Sequence, residues 1–143
     1  MAEMDAAGNV NVSRRGGRVV GPGGFVDSAQ NARKVVFCGT FEAKGLACAP
    51  TGTGLRIDRP GEVQKLLAQV DEITFSGAVA RARGQEVLDV TERAVLALGD
   101  QGVELREIAE GVELQRDVLA RMGFKPVMRS KPAVMAARHF VPG

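Results

Sequence analysis

The chain has 143 residues, 45% of them apolar and 25% charged, a composition that suits one folded domain with a Val, Leu and Ala core and excludes a wholly disordered chain or a coiled coil. Nineteen Lys plus Arg against 17 Asp plus Glu leave +2, too near balance to make nucleic acid or an anionic membrane the partner. No apolar run approaches the ~18 residues of a membrane-spanning helix, and the opening MAEMDAAGN carries acids where a secretory signal carries Lys or Arg. A cytoplasmic protein is therefore expected.

In chain order, residues 8–13 (GNVNVS) alternate as a short strand does, and the RRGGR at residues 14–18 reads as a loop. A short apolar segment then enters the glycine turn Gly21, Pro22, Gly23, Gly24. Asp27 is placed to cap a short helix over residues 28–33, with Gln30 at its third position. Residues 34–41 (KVVFCGTF) are almost continuously apolar and read as a buried strand. Turns at Gly45 and at TGTG (residues 51–54) predict that this strand continues as a three-stranded meander through residues 46–49 and 55–58.

Val63, Leu66, Leu67 and Val70 stand at i, i+3, i+4 and i+7, which predicts a helix, and residues 73–75 a short strand. After a small-residue connection at 77–84, residues 86–98 and 103–108 flank Gly99-Asp100-Gln101-Gly102 as the arms of a β-hairpin. Leu114, Val118, Leu119 and Met122 form the apolar face of a last helix, with Glu113 in its first turn, Arg121 in its last and Gly123 placed as a left-handed cap. The prolines at 126, 132 and 142 mark residues 125–143 as a peripheral tail.

Four features carry candidate chemistry. In the glycine turn, backbone N–H groups can approach a ligand while the following helix N-terminus favours negative charge, so Gly21, Gly23 and Gly24 are candidates for holding a phosphate or thioester oxygen. The turn lacks the Gly-Lys-Ser/Thr of a phosphate loop, and Asp27 replaces the third Gly of a dinucleotide fingerprint. Glu92, in VTERA, is a candidate nucleophile or base; period-two counting places it on a strand face with Leu88, Val90, Ala94 and Leu96, which predicts a buried acid paired with Arg or backbone N–H groups. RRGGR without neighbouring aromatics is a weak RNA-binding signal. Cys38, Cys48 and the single His139 show no metal-ligand or catalytic spacing, so reduced structural thiols and no metal site are expected.

The ordered set GNVNVS, GPGGFVDSAQNARKVVFCGTF, EITFSG, VTERAV and LQRDVLARMGF, from Gly8 to about Phe124, resembles the C-terminal part of the family I CoA-transferases, nearest the propionate or short-chain acyl-CoA:acetate/3-ketoacid type. The resemblance implies part of an open α/β catalytic domain with a mixed sheet, β-hairpins and a few short helices, residues 1–143 forming a single partial domain. It implies coenzyme A as thioester substrate rather than resident cofactor, an acyl-CoA and a carboxylate as partners, and a place in short-chain fatty acid or ketone body metabolism. In the family a glutamate of a Glu-x-Gly motif attacks the thioester, and this sequence contains no Glu-x-Gly.

Gly24 matches the second glycine of the family's paired-glycine motif, whose N–H is associated with the thioester oxyanion. Glu92 lies in a family block that is not the nucleophile motif. The expected protein is thus a fragment or split piece of a CoA-transferase, inactive alone, missing an N-terminal portion or self-associating through an exposed apolar face. The rival expectation is a non-catalytic acyl-CoA- or partner-binding module. Three local geometries follow: strands 35–41 and 46–49 pair so that Cys38 faces Cys48, Glu92 is buried and paired, and Gly24 turns its N–H into an open cleft while Asp27 caps the helix.

Overall fold

The structure, a computed structural model, describes residues 3–11, 14–15, 18–19 and 32–141. It is a mixed α/β arrangement of several sheets and a few short helical turns. In chain order the strands among the described residues are β1 Glu3–Asp5, β2 Val10–Asn11, β3 Arg14–Arg15, β4 Arg18–Val19, β5 Lys34–Cys38, β6 Glu42–Ala43, β7 Ala47–Pro50, β8 Leu55–Arg59, β9 Val63–Gln64, β10 Leu66–Leu67, β11 Glu86–Val90, β12 Ala94–Gly99, β13 Gly102–Ile108 and β14 Ala133–Val134, and an α-helix, α1, spans Gly77–Ala82.

The largest sheet has the order β14-β13-β12-β11-β5, with β12 antiparallel to both neighbours and β5 and β14 running parallel to theirs at the two edges. A second sheet, β10-β1-β2, closes against it through Met4, Val10 and Leu66, all buried with Phe37, Phe75, Val87, Leu96 and Val103 in one core. The Phe37 and Phe75 rings meet edge to face at 5.4 Å, a favoured aromatic geometry. Asp5 fixes the turn between β1 and β2 by accepting from the N–H groups of Ala7 and Asn9, and it reaches Val70 N as well.

The hairpin predicted around Gly99–Gly102 forms as β12–β13, and Gly102 takes φ +124°, a conformation that L side chains rarely adopt. The strand foreseen over 86–98 is instead two, β11 and β12, because Thr91 closes a turn on Ala94 through both its amide and its hydroxyl. The meander is corrected: β7 and β8 pair as expected, but β5 leaves them and pairs in parallel with β11, Cys38 opposite Val90 and Cys48 opposite Ile57. The two cysteines, both free, are thus not cross-strand neighbours. Rather than a buried strand, β5 is an edge with alternating burial, Phe37 inward and Val36 46% exposed.

The helix expected over 63–70 does not form. Val63–Gln64 pairs with β6 and Leu66–Leu67 with β1, so long-range strand pairing overrides a helical spacing that four apolar residues met by coincidence. The connection at 77–84 holds α1, whose first turn is capped by Ser76 Oγ accepting from Val79 N at 3.2 Å. The RRGGR segment pairs its flanks as β3 and β4, and the 73–75 strand reduces to one bridge between Phe75 and Val10.

The last helix is a single π turn, Leu114–Val118, followed by a 3₁₀ turn, Leu119–Arg121. Glu113 caps it through Gln115 N and Arg116 N. Gly123 is not left-handed: its N–H donates to Leu66 O at 2.7 Å, and a Cβ there would stand 2.7 Å from Ala68 N, so glycine is required for close backbone approach. Beyond it, β14 joins the sheet edge, and Met135 and Phe140 are buried. Ala32 and Arg33 are not helical; the rest of the 28–33 helix, together with Asp27, lies outside the described residues.

Candidate active site

Because β5 and β11 are parallel neighbours, their carboxyl ends deliver two turns to the same end of the sheet, Gly39–Glu42 after β5 and Thr91–Arg93 after β11. The pairing runs one step past the strands, Gly39 N donating to Val90 O at 3.1 Å. This end of parallel strands is where open α/β sheets place ligands. Between the turns lies a buried ionic knot.

Arg93, with no exposed side-chain surface, is its centre. Its Nε donates to Glu92 Oε2 at 2.7 Å and its Nη1 to Glu42 Oε1 at 3.1 Å and to Asp117 O at 3.0 Å, while its guanidinium lies 4.8 Å from the centre of the Phe41 ring. Glu42 is buried as well, and its second oxygen accepts from Arg121 Nε. The sequence reading assigned Arg121 only to a helix terminus. Lys65, buried beside the knot, donates to Thr40 Oγ1 at 3.1 Å.

Glu92 is paired as foreseen but differently placed. It sits in the turn between β11 and β12 rather than on a strand face, half-buried, with Oε1 accepting from Phe41 N at 2.6 Å and Oε2 held by Arg93. Both oxygens serve the fold, which is the arrangement of a structural acid and not of a free nucleophile. Nearby, burial raises the Cys48 thiol above its ordinary value, with repulsion from Glu92 adding to it and Arg93 opposing. His139 is exposed on a terminal 3₁₀ turn, Ala137–Phe140.

Sequence reasoning reached Glu92 but missed Glu42, Arg93, Lys65 and Arg121. The adjacent Glu-Arg of VTERA was the available signal; the distance along the chain from Glu42 to Arg121 hid the rest. Gly21, Gly23 and Gly24 lie outside the described residues. Two open grooves lie elsewhere, one of about 500 Å³ bordered by Arg106, Arg129 and Lys131 and one of about 570 Å³ bordered by Leu119, Met122 and Met128.

The arrangement of strands and turns has close counterparts. The chain is 43% identical over 140 residues to the acetate CoA-transferase YdiF of Escherichia coli K12, covering 98% of this chain and 26% of that protein. The crystal structure of the YdiF apoenzyme from Escherichia coli O157:H7 superposes with a TM-score of 0.95 at 42% identity, covering 99% of this chain and 28% of that one. The chain is homologous to a segment of CoA-transferases.

Caffeate CoA-transferase of Acetobacterium woodii is 44% identical over 133 residues, 90% of this chain and 25% of that protein. Glutaconate coenzyme A-transferase of Acidaminococcus fermentans shares the fold at a TM-score of 0.65 and 20% identity, covering 95% of this chain and 50% of that one. No protein-family model matches the chain. The chain spans about a quarter of the length of the curated relatives it matches. Among the described residues no helix is long and apolar enough to cross a membrane.

Proposed function

We propose that this chain acts as one part of a family I CoA-transferase, of the propionate or acyl-CoA:acetate/3-ketoacid type, that moves CoA in the cytoplasm between a short-chain acyl-CoA and a carboxylate. The observation that carries the reading is the 43% identity to an acetate CoA-transferase across 98% of the chain. A carboxylate nucleophile attacks the thioester carbon and the CoA thiolate leaves; that thiolate then attacks the enzyme carbonyl of the resulting anhydride, releasing the donor carboxylate and leaving an enzyme-CoA thioester. On that thioester the acceptor carboxylate repeats the two steps in reverse, to leave as its CoA thioester and restore the enzyme carboxylate. With both oxygens of Glu92 engaged and no Glu-x-Gly in the sequence, the nucleophile comes from polypeptide corresponding to the other three quarters of the relatives.

In this reading Gly24 supplies the N–H that faces the oxygen becoming negative in the attack, with Gly21 and Gly23 keeping the turn open to the thioester. The ionic knot of Arg93 holds the turns after β5 and β11 in register. The test is Gly24→Pro in the assembled enzyme. The expected result is a kcat lower by roughly 10² to 10³ with KM and melting temperature near wild type, as for loss of an oxyanion donor. Binding of acyl-CoA without transfer in the assembled wild type supports a binding module instead.

A further inference from the structure

Asp89 is a charge-bearing group that the ionic knot does not use. It stands one residue from the end of β11, opposite Phe37 of β5 and Leu96 of β12, and the residue is 1% exposed. Among the described residues neither carboxyl oxygen has a hydrogen-bond donor. Its side chain borders a gap too narrow for water, shared with Met4, Val87, Leu96, Leu98 and Val103. A buried carboxylate without donors is strongly disfavoured in its ionised form, and protonation is the available relief.

The elements packed around it offer little compensation. β1 presents Met4, its Asp5 being engaged with Ala7, Asn9 and Val70. β12 and β13 present Leu96, Leu98 and Val103, and the acid that follows on β13, Glu104, is bound by Arg106 and Arg129. Lys65 attracts the Asp89 carboxylate while already donating to Thr40, and Glu92 repels it.

We propose that Asp89 is a proton-operated switch in the core of the five-stranded sheet, holding the fold tight while protonated and loosening it once ionised. The inference is independent of the proposed activity. Burial, the largest cause, pushes the Asp89 carboxyl up to about 7. The unfolded chain ionises Asp near pH ~3.9, so between there and neutrality the folded state holds a proton that the unfolded state has lost. Stability from this group is therefore full in acid, falls as pH rises, and stays low above neutrality.

The test uses the full chain: carboxyl carbon NMR titration of Asp89, with urea unfolding from pH 5 to 8 of wild type and Asp89→Asn. The expected midpoint for Asp89 is above about 6. The wild-type folding constant is expected to fall by up to about tenfold per pH unit toward neutrality, with this fall absent from the variant. A midpoint below about 5, or equal pH slopes in the two proteins, overturns the proposal. Should Asp89→Asn not fold, the wild-type titration decides alone.

Discussion

Glu92 and Asp89 lie three residues apart at the end of β11, both acids are removed wholly or largely from water, and they meet opposite surroundings. Glu92 sits in a turn where the chain brings it an arginine and a backbone N–H; Asp89 sits in a strand, where neighbouring amides are already committed to the sheet and the facing side chains are apolar. Burial alone therefore does not decide what a carboxylate does. The supply of donors decides it, and turns supply donors that sheet interiors do not.

The comparison breaks most forcefully at Arg93. Arg93→Leu removes one of the two arginines that hold the buried Glu42, leaving Arg121, and loosens Glu92, and the expected loss is about 3 kcal/mol in urea unfolding, the cost of breaking a buried ion pair. A loss below about 1 kcal/mol would mean that water reaches the knot and that the two acids are not contrasting cases.

At Asp89 the sign reverses. Asp89→Leu removes the orphaned carboxyl from an apolar gap and is expected to stabilise the chain at pH 8 by about 2 kcal/mol, less whatever the larger side chain costs in packing. The gain shrinks at pH 5, where the wild-type carboxyl is already protonated. Destabilisation at both pH values, shared by the near-isosteric Asp89→Asn, would show that Asp89 has a donor after all.

Glu92→Gln sharpens the middle of the scale. The amide oxygen still accepts from Phe41 N while the charge facing Arg93 is gone, so about 1 to 2 kcal/mol is expected to be lost in the same unfolding assay. Glu104 gives the smallest effect. Its buried carboxylate is shared by two largely exposed arginines, Arg106 and Arg129, so Arg129→Ala is expected to cost less than about 1 kcal/mol, fading further in high salt.

What the sequence revealed follows the same division between local and distant partners. The β12–β13 hairpin was legible because Gly99-Asp100-Gln101-Gly102 is a local turn signal, and the kinship with CoA-transferases was legible because five blocks occur in order. The helix expected at 63–70 failed because Leu66 and Leu67 pair with Met4 and Asp5, some sixty residues earlier, which no local period records. The Cys38–Cys48 register failed for the same reason: β5 is taken by β11, not by the strand that follows it.

At the site, apolar neighbours showed that Glu92 would be shielded and paired, but its place in a turn depended on Thr91 closing onto Ala94. Glu42, Lys65 and Arg121 were invisible because each is contributed by a different stretch of chain. Residues 77–84 read as a connection because GAVARA shows no apolar stripe, whereas the structure has Ser76 capping a helix there. The glycine turn, the strongest local signal of all, falls outside the described residues.

The most direct measurement is CoA transfer from a short-chain acyl-CoA to a labelled carboxylate, assayed with this chain alone and with polypeptide corresponding to the other three quarters of its acetate CoA-transferase relatives. The expected result is no turnover from either part and sustained turnover from the two together, with an enzyme-bound CoA thioester trapped by borohydride. Turnover by this chain alone, or none from the assembled parts when they form a stable complex, would contradict the account.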